Sequence, residues 1–158
     1  MIERIDTCGY KDYSDLLDFL NNNFSYDFYF SQDNAKVYIT DKPSLKALLR
    51  NTVCAFGKRE RGDYKGIIIV WRSIKEGIKK YYVKINACND KVAEELITIL
   101  NWNFGKEMFF RIRNNSKLIE VAKRKGFRFF MEKGPYIILK GKSLIYKKEI
   151  FVKHEDEE

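Results

Sequence analysis

The chain contains few residues of the types that form nucleophilic or metal centres. Its three cysteines, Cys8, Cys54 and Cys88, cannot all pair with one another, and their spacing matches no zinc-binding pattern. The single histidine, His154, lies in a charged C-terminal stretch, which does not favour a Ser-His-Asp or Cys-His arrangement. The sequence therefore predicts no metal site and gives no support to a nucleophilic triad.

Carboxylates are the next candidates for acid–base chemistry. Glu60 and Asp63 lie in a polar segment between two apolar runs, and Glu107 precedes a predicted strand. Each of them can act as a general base that accepts a proton, directly or through water. Each is also typical of a solvated turn or of the rim of a sheet, so the sequence leaves both interpretations open.

A further polar group lies within a predicted strand. Tyr82, Lys84 and Asn86 alternate with apolar residues in "KKYYVKINAC", so their side chains share one face of that strand. Polar residues in the middle of a strand either line a ligand cleft or belong to a hydrated face of the sheet. We retain Tyr82 and Asn86, together with Glu60, as candidate catalytic residues.

The helices that would position these residues are recognised from apolar residues at three- and four-residue spacing. Ser14 and Asp41 are the predicted N-caps of the first two helices, and Ser116 is that of the fourth. The third helix follows the strand of Tyr82 and is capped by Asn89 or by Asp90. Its apolar residues predict a helix that packs on the core, whether or not it also binds a ligand.

The strands are recognised from alternating or continuous apolar residues. The run Ile67–Trp71 is typical of a strand that is buried on both faces. The segment "FSYDFYF" is either a short strand or an aromatic loop. If "ERIDTC" forms a first strand, the order is β-α-α-β-β-β-α-β-α-β-β, which predicts a mixed α/β sheet. The two strands around the third helix are expected to be parallel, because a crossover connects them.

Composition and charge limit the classes of protein that fit. The chain has 158 residues and predicts one domain, residues 1–142, followed by an extension with an acidic tail, residues 143–158. The net charge of +8 favours acidic partners. No apolar run reaches the length of a membrane span, and the N-terminus carries charges where a signal peptide is apolar, so we expect a cytoplasmic protein. The Asn-, Lys- and Ile-rich composition suggests an AT-rich bacterium or its phage.

The segment "NNSKLIEVAKRKGFRFF" resembles the late motif of the GNAT family, the GCN5-related N-acyltransferases that use acetyl-CoA. Counting back from Gly126 and Phe127 places Asn115 at the family's asparagine and Leu118 at its small apolar position, without a gap. The order of elements resembles the family as well, over roughly residues 1–142. The resemblance implies a single GNAT-like α/β domain. It also places Ala122 where the family carries the tyrosine that protonates the departing CoA thiolate.

The resemblance further implies where acetyl-CoA would bind. The family places the pantetheine arm between splayed central strands and the diphosphate at the start of the following helix. The implied cofactor-binding residues are Ile85, Ala87, Cys88, Lys91, Val92, Ala93 and Asn115. This sequence departs from the family there: of the Arg/Gln-x-x-Gly-x-Gly/Ala pattern, only Ala93 fits. Asn115 has a second interpretation, in which it caps the fourth helix together with Ser116.

Two functions follow from the resemblance. The first is an N-acetyltransferase that moves an acyl group from acetyl-CoA to an amine. The alternative is a GNAT-like protein without catalytic activity that binds nucleic acid or an acidic partner protein. Its binding surface would be the basic face, which we define as Lys117, Lys123, Arg124, Lys125 and Arg128. In the first function the same face would contact the 3′-phosphate of CoA, and a solvated helix face also explains it.

Overall fold

A computed structural model describes residues 1–6, 10–23, 26, 28–32 and 35–141 of the chain. The four helices are α1 (Tyr10–Asn22), α2 (Lys42–Asn51), α3 (Asp90–Asn103) and α4 (Leu118–Arg124). The strands are β1 (Ile2–Arg4), β2 (Phe30–Gln32), β3 (Ala35–Val37), β4 (Cys54–Glu60), β5 (Asp63–Lys75), β6 (Ile78–Ala87), β7 (Met108–Arg113), β8 (Arg128–Lys133) and β9 (Tyr136–Gly141). Cys8, His154 and the predicted extension, residues 143–158, lie outside the described residues.

A seven-stranded mixed sheet organises the fold, with the strand order β1-β4-β5-β6-β7-β9-β8. Its neighbouring strands are antiparallel except β6 and β7, which are parallel. The predicted mixed α/β sheet and the predicted parallel pair around α3 are therefore confirmed. The parallel pair lies in the middle of the sheet, where α3 connects its two strands.

Two apolar layers cover the two faces of this sheet, and the run at the centre of β5 contributes to both. Ile68 and Val70 pack in the layer that contains α3 and α4, whereas Ile67 and Ile69 pack in the layer that contains α1 and α2. All four side chains are fully buried. Complete burial of such a side chain contributes roughly 1.5–3 kcal/mol. The continuous apolar run therefore fits its central strand, as the sequence predicted.

Two tight turns connect β4, β5 and β6 and set their register. The polar turn expected over residues 59–64 is reduced to Arg61 and Gly62, because the strands continue further than predicted. Glu76 and Gly77 form the second turn. All four of these turn residues have positive φ, as two-residue hairpin turns require for the twist of their strands.

The helix starts agree with the sequence at two of four positions. The Asp41 carboxylate accepts a hydrogen bond from Ser44 N at 2.8 Å, and Asn89, one of the two predicted alternatives, is the cap of α3. Ser116 Oγ accepts a hydrogen bond from Leu118 N at 3.1 Å, but the N-cap of α4 is Lys117, one residue later than predicted. The prediction for Ser14 is wrong, since α1 already begins at Tyr10 and Ser14 lies within it. The residues of the first turn, "YKDY", do not continue the apolar stripe by which this helix was recognised, so its start was placed too late.

The N-terminal third differs most from the sequence-based expectation. The first strand is shorter than "ERIDTC" and ends at Arg4. "FSYDFYF" was left open between a strand and a loop, and among its described residues only Phe30 belongs to a strand. This strand, β2, pairs with β3 in a separate hairpin that the sequence did not predict. Tyr26 and Phe28 are buried without being part of a strand, which explains their apolar alternation.

Candidate functional site

A gap opens in the middle of the sheet, where the parallel strands β6 and β7 diverge. Their pairing covers Tyr81–Val83 on β6 and Met108–Phe110 on β7. Beyond these residues each strand follows its other neighbour: β6 stays paired with β5 as far as Ala87, and β7 stays paired with β9 as far as Arg113. The divergence leaves a cavity of about 260 Å³. It is lined by Tyr26, Tyr29, Phe30, Trp71, Val83, Lys84, Ile85, Phe110, Arg111, Ile112, Arg113, Ser116, Leu118 and Tyr136.

The edge of β6 turns backbone groups toward this gap. Cys88 N donates to Lys65 O at 2.9 Å, so the backbone of Cys88 is directed at β5. Because successive residues of a strand direct their backbone groups to opposite sides, Ile85 and Ala87 direct theirs toward β7. Ala87 O accepts a hydrogen bond from Asn23 Nδ2 at 3.1 Å. The N–H and C=O of Ile85 and the N–H of Ala87 therefore face the gap at a point where β7 has moved away.

Lys84 is the charged residue that reaches into the cavity from β6. Its ammonium donates to Tyr29 O and lies over the rings of Phe30 and Trp71, at 4.8 and 5.6 Å from their centroids. Burial disfavours the charged form, and the positive charge of Arg111 adds to this effect, so the pKa of Lys84 falls from 10.5 to about 8. A lysine in this state exchanges its proton near neutral pH.

Two tyrosine hydroxyls meet in the lining of the same cavity. The Tyr29 and Tyr136 oxygens lie 2.9 Å apart, and Arg113 Nη1 donates to Tyr29 Oη at 3.3 Å. Burial acts to raise the pKa of Tyr29, but the hydrogen bonds from Tyr136 and Arg113 and the nearby positive charge lower it overall. The pKa of Tyr136 is raised, first by its hydrogen bond to Tyr29 and then by burial. Either hydroxyl can be the donor of this hydrogen bond.

The start of α3 lies beside the cavity and is already capped by the chain itself. Val92 N donates to Asn89 Oδ1 at 2.9 Å. The Asp90 carboxylate accepts a hydrogen bond from Tyr26 Oη, and Lys117 Nζ lies 3.9 Å from it. Burial, followed by this hydrogen bond to Asp90, raises the pKa of Tyr26. A carboxylate and a side-chain cap therefore occupy the position where helix N–H groups would otherwise bind an anion.

The implied cofactor residues are distributed along this edge, from the gap to the start of α3. Ile85 lines the cavity and Ala87 borders the gap, whereas Cys88 and Lys91 are exposed at the helix start. Val92 and Ala93 belong to α3 and are buried in the apolar layer that contains this helix. Asn115 is exposed, next to the cavity-lining Ser116. The structure thus brings Ile85 and Ala87 to the gap and leaves the other residues beside it.

The candidate catalytic residues are not lining residues of the cavity. Tyr82 stacks on Trp71, with 5.7 Å between the ring centroids, and so supports one wall from behind. Asn86 is 1% exposed and forms two hydrogen bonds with Asn23, one from Asn23 Nδ2 at 2.6 Å and one to Asn23 O at 3.0 Å. This paired amide explains a polar residue on a buried face. Glu60 is exposed, with an ion pair to Lys58 at 3.5 Å.

The carboxylates considered as general bases also lie elsewhere. Asp63 is exposed at the turn between β4 and β5, and Glu107 forms an ion pair with Lys140 at 3.3 Å at the start of β7. Ala122, at the position of the family tyrosine, is fully buried in the layer under the sheet. None of these three residues is among the described residues that line the cavity.

Sequence reasoning missed most of the residues that line the cavity. Tyr29 lies in "FSYDFYF", which fits either the lining of an acceptor pocket or a cover for the core, and Tyr136 follows a turn. Arg111 and Arg113 alternate on β7, a signal of a charged strand face that was present in "FFRIRN". Nothing in the sequence alone showed that Arg111 and Arg113 lie close to Lys84, since α3 separates them from it along the chain.

The basic face is partly neutralised by neighbouring carboxylates. Arg124 Nε lies 2.8 Å from Glu94 Oε1, and Lys117 has the ion pair with Asp90 described above. Lys123 and Arg128 are exposed. Among the described residues, no helix combines the length and hydropathy needed to cross a membrane, and no cluster of His, Cys, Asp and Glu suitable for a metal ion is found.

Among the comparisons with known proteins, those with solved structures identify the fold. No family model and no curated protein matches the sequence. Solved structures do match: an N-acetyltransferase from Staphylococcus aureus Mu50 has a TM-score of 0.61 at 17% identity, covering 91% of this chain and 97% of that one. An aminoglycoside 6′-acetyltransferase type Ii has a TM-score of 0.68 at 10% identity, with the same coverage of 91% and 97%. This chain has the GNAT fold.

A further match to a solved structure is a protein bound to coenzyme A. The PaiA N-acetyltransferase from Thermoplasma acidophilum, solved in complex with coenzyme A, has a TM-score of 0.60 at 12% identity and covers 90% of this chain and 99% of its own. The GNAT fold thus extends over about nine tenths of the chain. At these identities the likeness concerns the fold, and the chemistry must be argued from this chain's own residues.

Proposed function

We propose that the protein transfers an acyl group from acetyl-CoA, or from a related thioester, to an amine. The observation that carries the proposal is the gap between β6 and β7, where backbone groups of Ile85 and Ala87 are directed at empty space beside a cavity of about 260 Å³. An extended, amide-containing arm can pair with such a strand edge as an additional strand does. The fold supports the assignment, since a protein of the same fold was solved with coenzyme A.

The chain fits the two halves of acetyl-CoA unequally. The gap suits the pantetheine arm, for which Ile85 and Ala87 supply backbone partners. The start of α3 suits the diphosphate less well, because Asn89 already caps Val92 N and Asp90 adds negative charge. Lys91, exposed at the same helix start, is the residue here that would offset phosphate charge. We therefore assign the arm to the β6 edge and the phosphate contact to Lys91.

The residues around the cavity favour attack by a neutral amine without a carboxylate base. Lys84, Arg111 and Arg113 line the cavity, and their positive charge disfavours the ammonium form of an incoming amine. Backbone N–H groups of β6 would polarise the thioester carbonyl. Ala122 has no proton to give, so the departing thiolate takes its proton from water or from the Tyr29–Tyr136 pair. The acceptor proton leaves through water.

A titration of the protein with acetyl-CoA tests this proposal. We expect binding at micromolar strength by calorimetry and a rise in melting temperature with ligand concentration, because the ligand binds the folded state. Lys91→Glu is expected to weaken binding, whereas Lys106→Glu, which places the same charge on an exposed residue before β7, is the matched control. No heat and no thermal shift at millimolar acetyl-CoA would contradict the proposal.

The second candidate is a GNAT-fold protein that has lost CoA binding and binds nucleic acid or an acidic protein through the basic face. The capped, acidic start of α3 favours it. The ion pairs of Arg124 and Lys117 weigh against it, since they neutralise part of that face. A gel shift with DNA or RNA separates the two candidates, because phosphate contacts weaken steeply with salt. The cytoplasmic location and the domain boundary at residue 142 stay predictions.

A further inference from the structure

The cavity between β6 and β7 carries a concentrated positive charge. Three of its lining residues, Lys84, Arg111 and Arg113, are cationic, and none of the described lining residues is Asp or Glu. Some cations elsewhere pair with carboxylates, as Arg124 does with Glu94 at 2.8 Å. The described lining of this cavity offers its cations no such carboxylate.

Lys84 shows what this charge costs without a counter-ion. Its ammonium is held by one backbone carbonyl and by aromatic rings, and no carboxylate among the described residues pairs with it. A desolvated cation without an anionic partner is energetically unfavourable, which is what depresses its pKa. An anion placed beside Lys84 would remove that disadvantage.

Arg111 is arranged to contact the same anion. Its guanidinium lies over the Tyr136 ring, 4.0 Å from the centroid, and it has no carboxylate partner among the described residues. A guanidinium that lies over a ring and has no carboxylate partner has N–H donors available for a carboxylate or a phosphate. The electrostatic effect of Arg111 on Lys84 shows that the two cations act on the same space.

We propose that the cavity binds an amine acceptor that carries a carboxylate or phosphate group, and that Lys84 and Arg111 contact this group. The inference rests on the proposed function and names its substrate class. A cavity of about 260 Å³ lies just below the usual range of ligand pockets, so the acceptor is a small molecule. A polycationic acceptor is repelled, in contrast to what the name of the aminoglycoside 6′-acetyltransferase indicates for that protein.

The anionic group takes no part in the bond changes. The amide N–C bond forms while the thioester C–S bond breaks, the amine releases one proton, and the departing sulfur takes one. The carboxylate or phosphate holds the acceptor in position and lowers the cost of the charged cavity. Its binding is therefore measurable without any transfer.

Four small amines that differ in charge test the proposal by calorimetry on the full chain, with and without CoA, which has no acyl group to transfer. The probes are β-alanine, O-phosphoethanolamine, ethanolamine and 1,3-diaminopropane. We expect an anionic amine to bind at least about tenfold more tightly than ethanolamine, the effect of one charged hydrogen bond. The diamine should bind most weakly. Comparison of β-alanine with O-phosphoethanolamine distinguishes a carboxylate from a phosphate.

Variants locate the site. Lys84→Gln is expected to weaken the binding of the anionic probe at least about tenfold, and Lys84→Arg is expected to retain most of the affinity. Arg111→Gln, at an exposed position, gives a second test should Lys84→Gln fold poorly. Lys79→Gln removes an exposed lysine from the same strand and should leave the affinity unchanged.

The outcomes separate this inference from the proposed function. Binding of the anionic amines without any binding of acetyl-CoA would support the cavity assignment and contradict acyl transfer. Acetylation of ethanolamine or the diamine at least as fast as of the anionic amines would support acyl transfer and overturn the anionic acceptor. Unchanged affinity in both Lys84→Gln and Arg111→Gln, or no binding of any probe in either condition, would also overturn it.

Discussion

Lys84 gives the sharpest physical prediction, because its charge should destabilise the fold at neutral pH. We consider Lys84→Met, which keeps an unbranched side chain in the aromatic surroundings of Phe30 and Trp71 but removes the ammonium. The lowering of the Lys84 pKa from 10.5 to about 8 corresponds to roughly 3 kcal/mol against the charged form. The variant loses the hydrogen bond to Tyr29 O, worth about 1 kcal/mol, and the contacts of the cation with the rings.

The size of the effect depends on pH. Below about pH 8 Lys84 is charged in both states, so the folded state carries the full desolvation cost. Between about pH 8 and pH 10.5 the folded state has released the proton that the unfolded state still holds, and the stability of the wild type rises. We expect Lys84→Met to be more stable than the wild type by about 1–2 kcal/mol at pH 7, and this advantage to disappear as pH rises through that window.

Urea unfolding of both proteins from pH 6.5 to pH 9.5 measures this difference. Titration of Tyr26, Tyr29 and Tyr136 affects both proteins and largely cancels. Lys79→Met, at an exposed position of β6, is the control and should give a difference that does not change with pH. A Lys84→Met difference that stays constant across the range would refute the argument that Lys84 is desolvated. A charge retained at a cost in stability is typical of functional sites.

Three further predictions concern the elements around the gap. Asn86→Ala should lower the free energy of unfolding by about 1–3 kcal/mol in urea, because it removes the two hydrogen bonds between Asn86 and Asn23. Gly66→Ala should cost about 1–3 kcal/mol by the same measurement, since its Cβ would lie 2.7 Å from Val92 Cγ1; no loss would show that α3 can shift. Lys91→Glu should weaken acetyl-CoA binding in calorimetry, and an unchanged Kd would remove Lys91 from the phosphate contact.

Much of the architecture could be predicted because local rules decide it. The central strand of Ile67–Val70, the Asp41 cap and the parallel pair around α3 all follow from patterns within a few residues. The family motif that ends at Gly126 was recognised by spacing alone, and its glycine has the positive φ of 98° expected after a helix. Such features depend little on distant parts of the chain.

The candidate site could not be predicted in the same way. Tyr29, Lys84 and Tyr136 are brought together by the topology of the sheet, and their contacts join residues up to 107 positions apart. Asn86 was considered for a ligand role because a polar residue in a strand has no local explanation. Its partner Asn23, 63 residues earlier, supplies that explanation.

The central claim is that the thioester arm binds along the β6 edge, and backbone amide chemical shifts measured by NMR during an acetyl-CoA titration test it most directly. The amides of Ile85 and Ala87 face the gap, whereas the amide of Cys88 on the same chain segment is bonded to Lys65 O. We expect the resonances of Ile85 and Ala87 to shift the most and that of Cys88 to shift less. Shifts confined to α4 and the basic face, or no shifts at millimolar acetyl-CoA, would contradict the account.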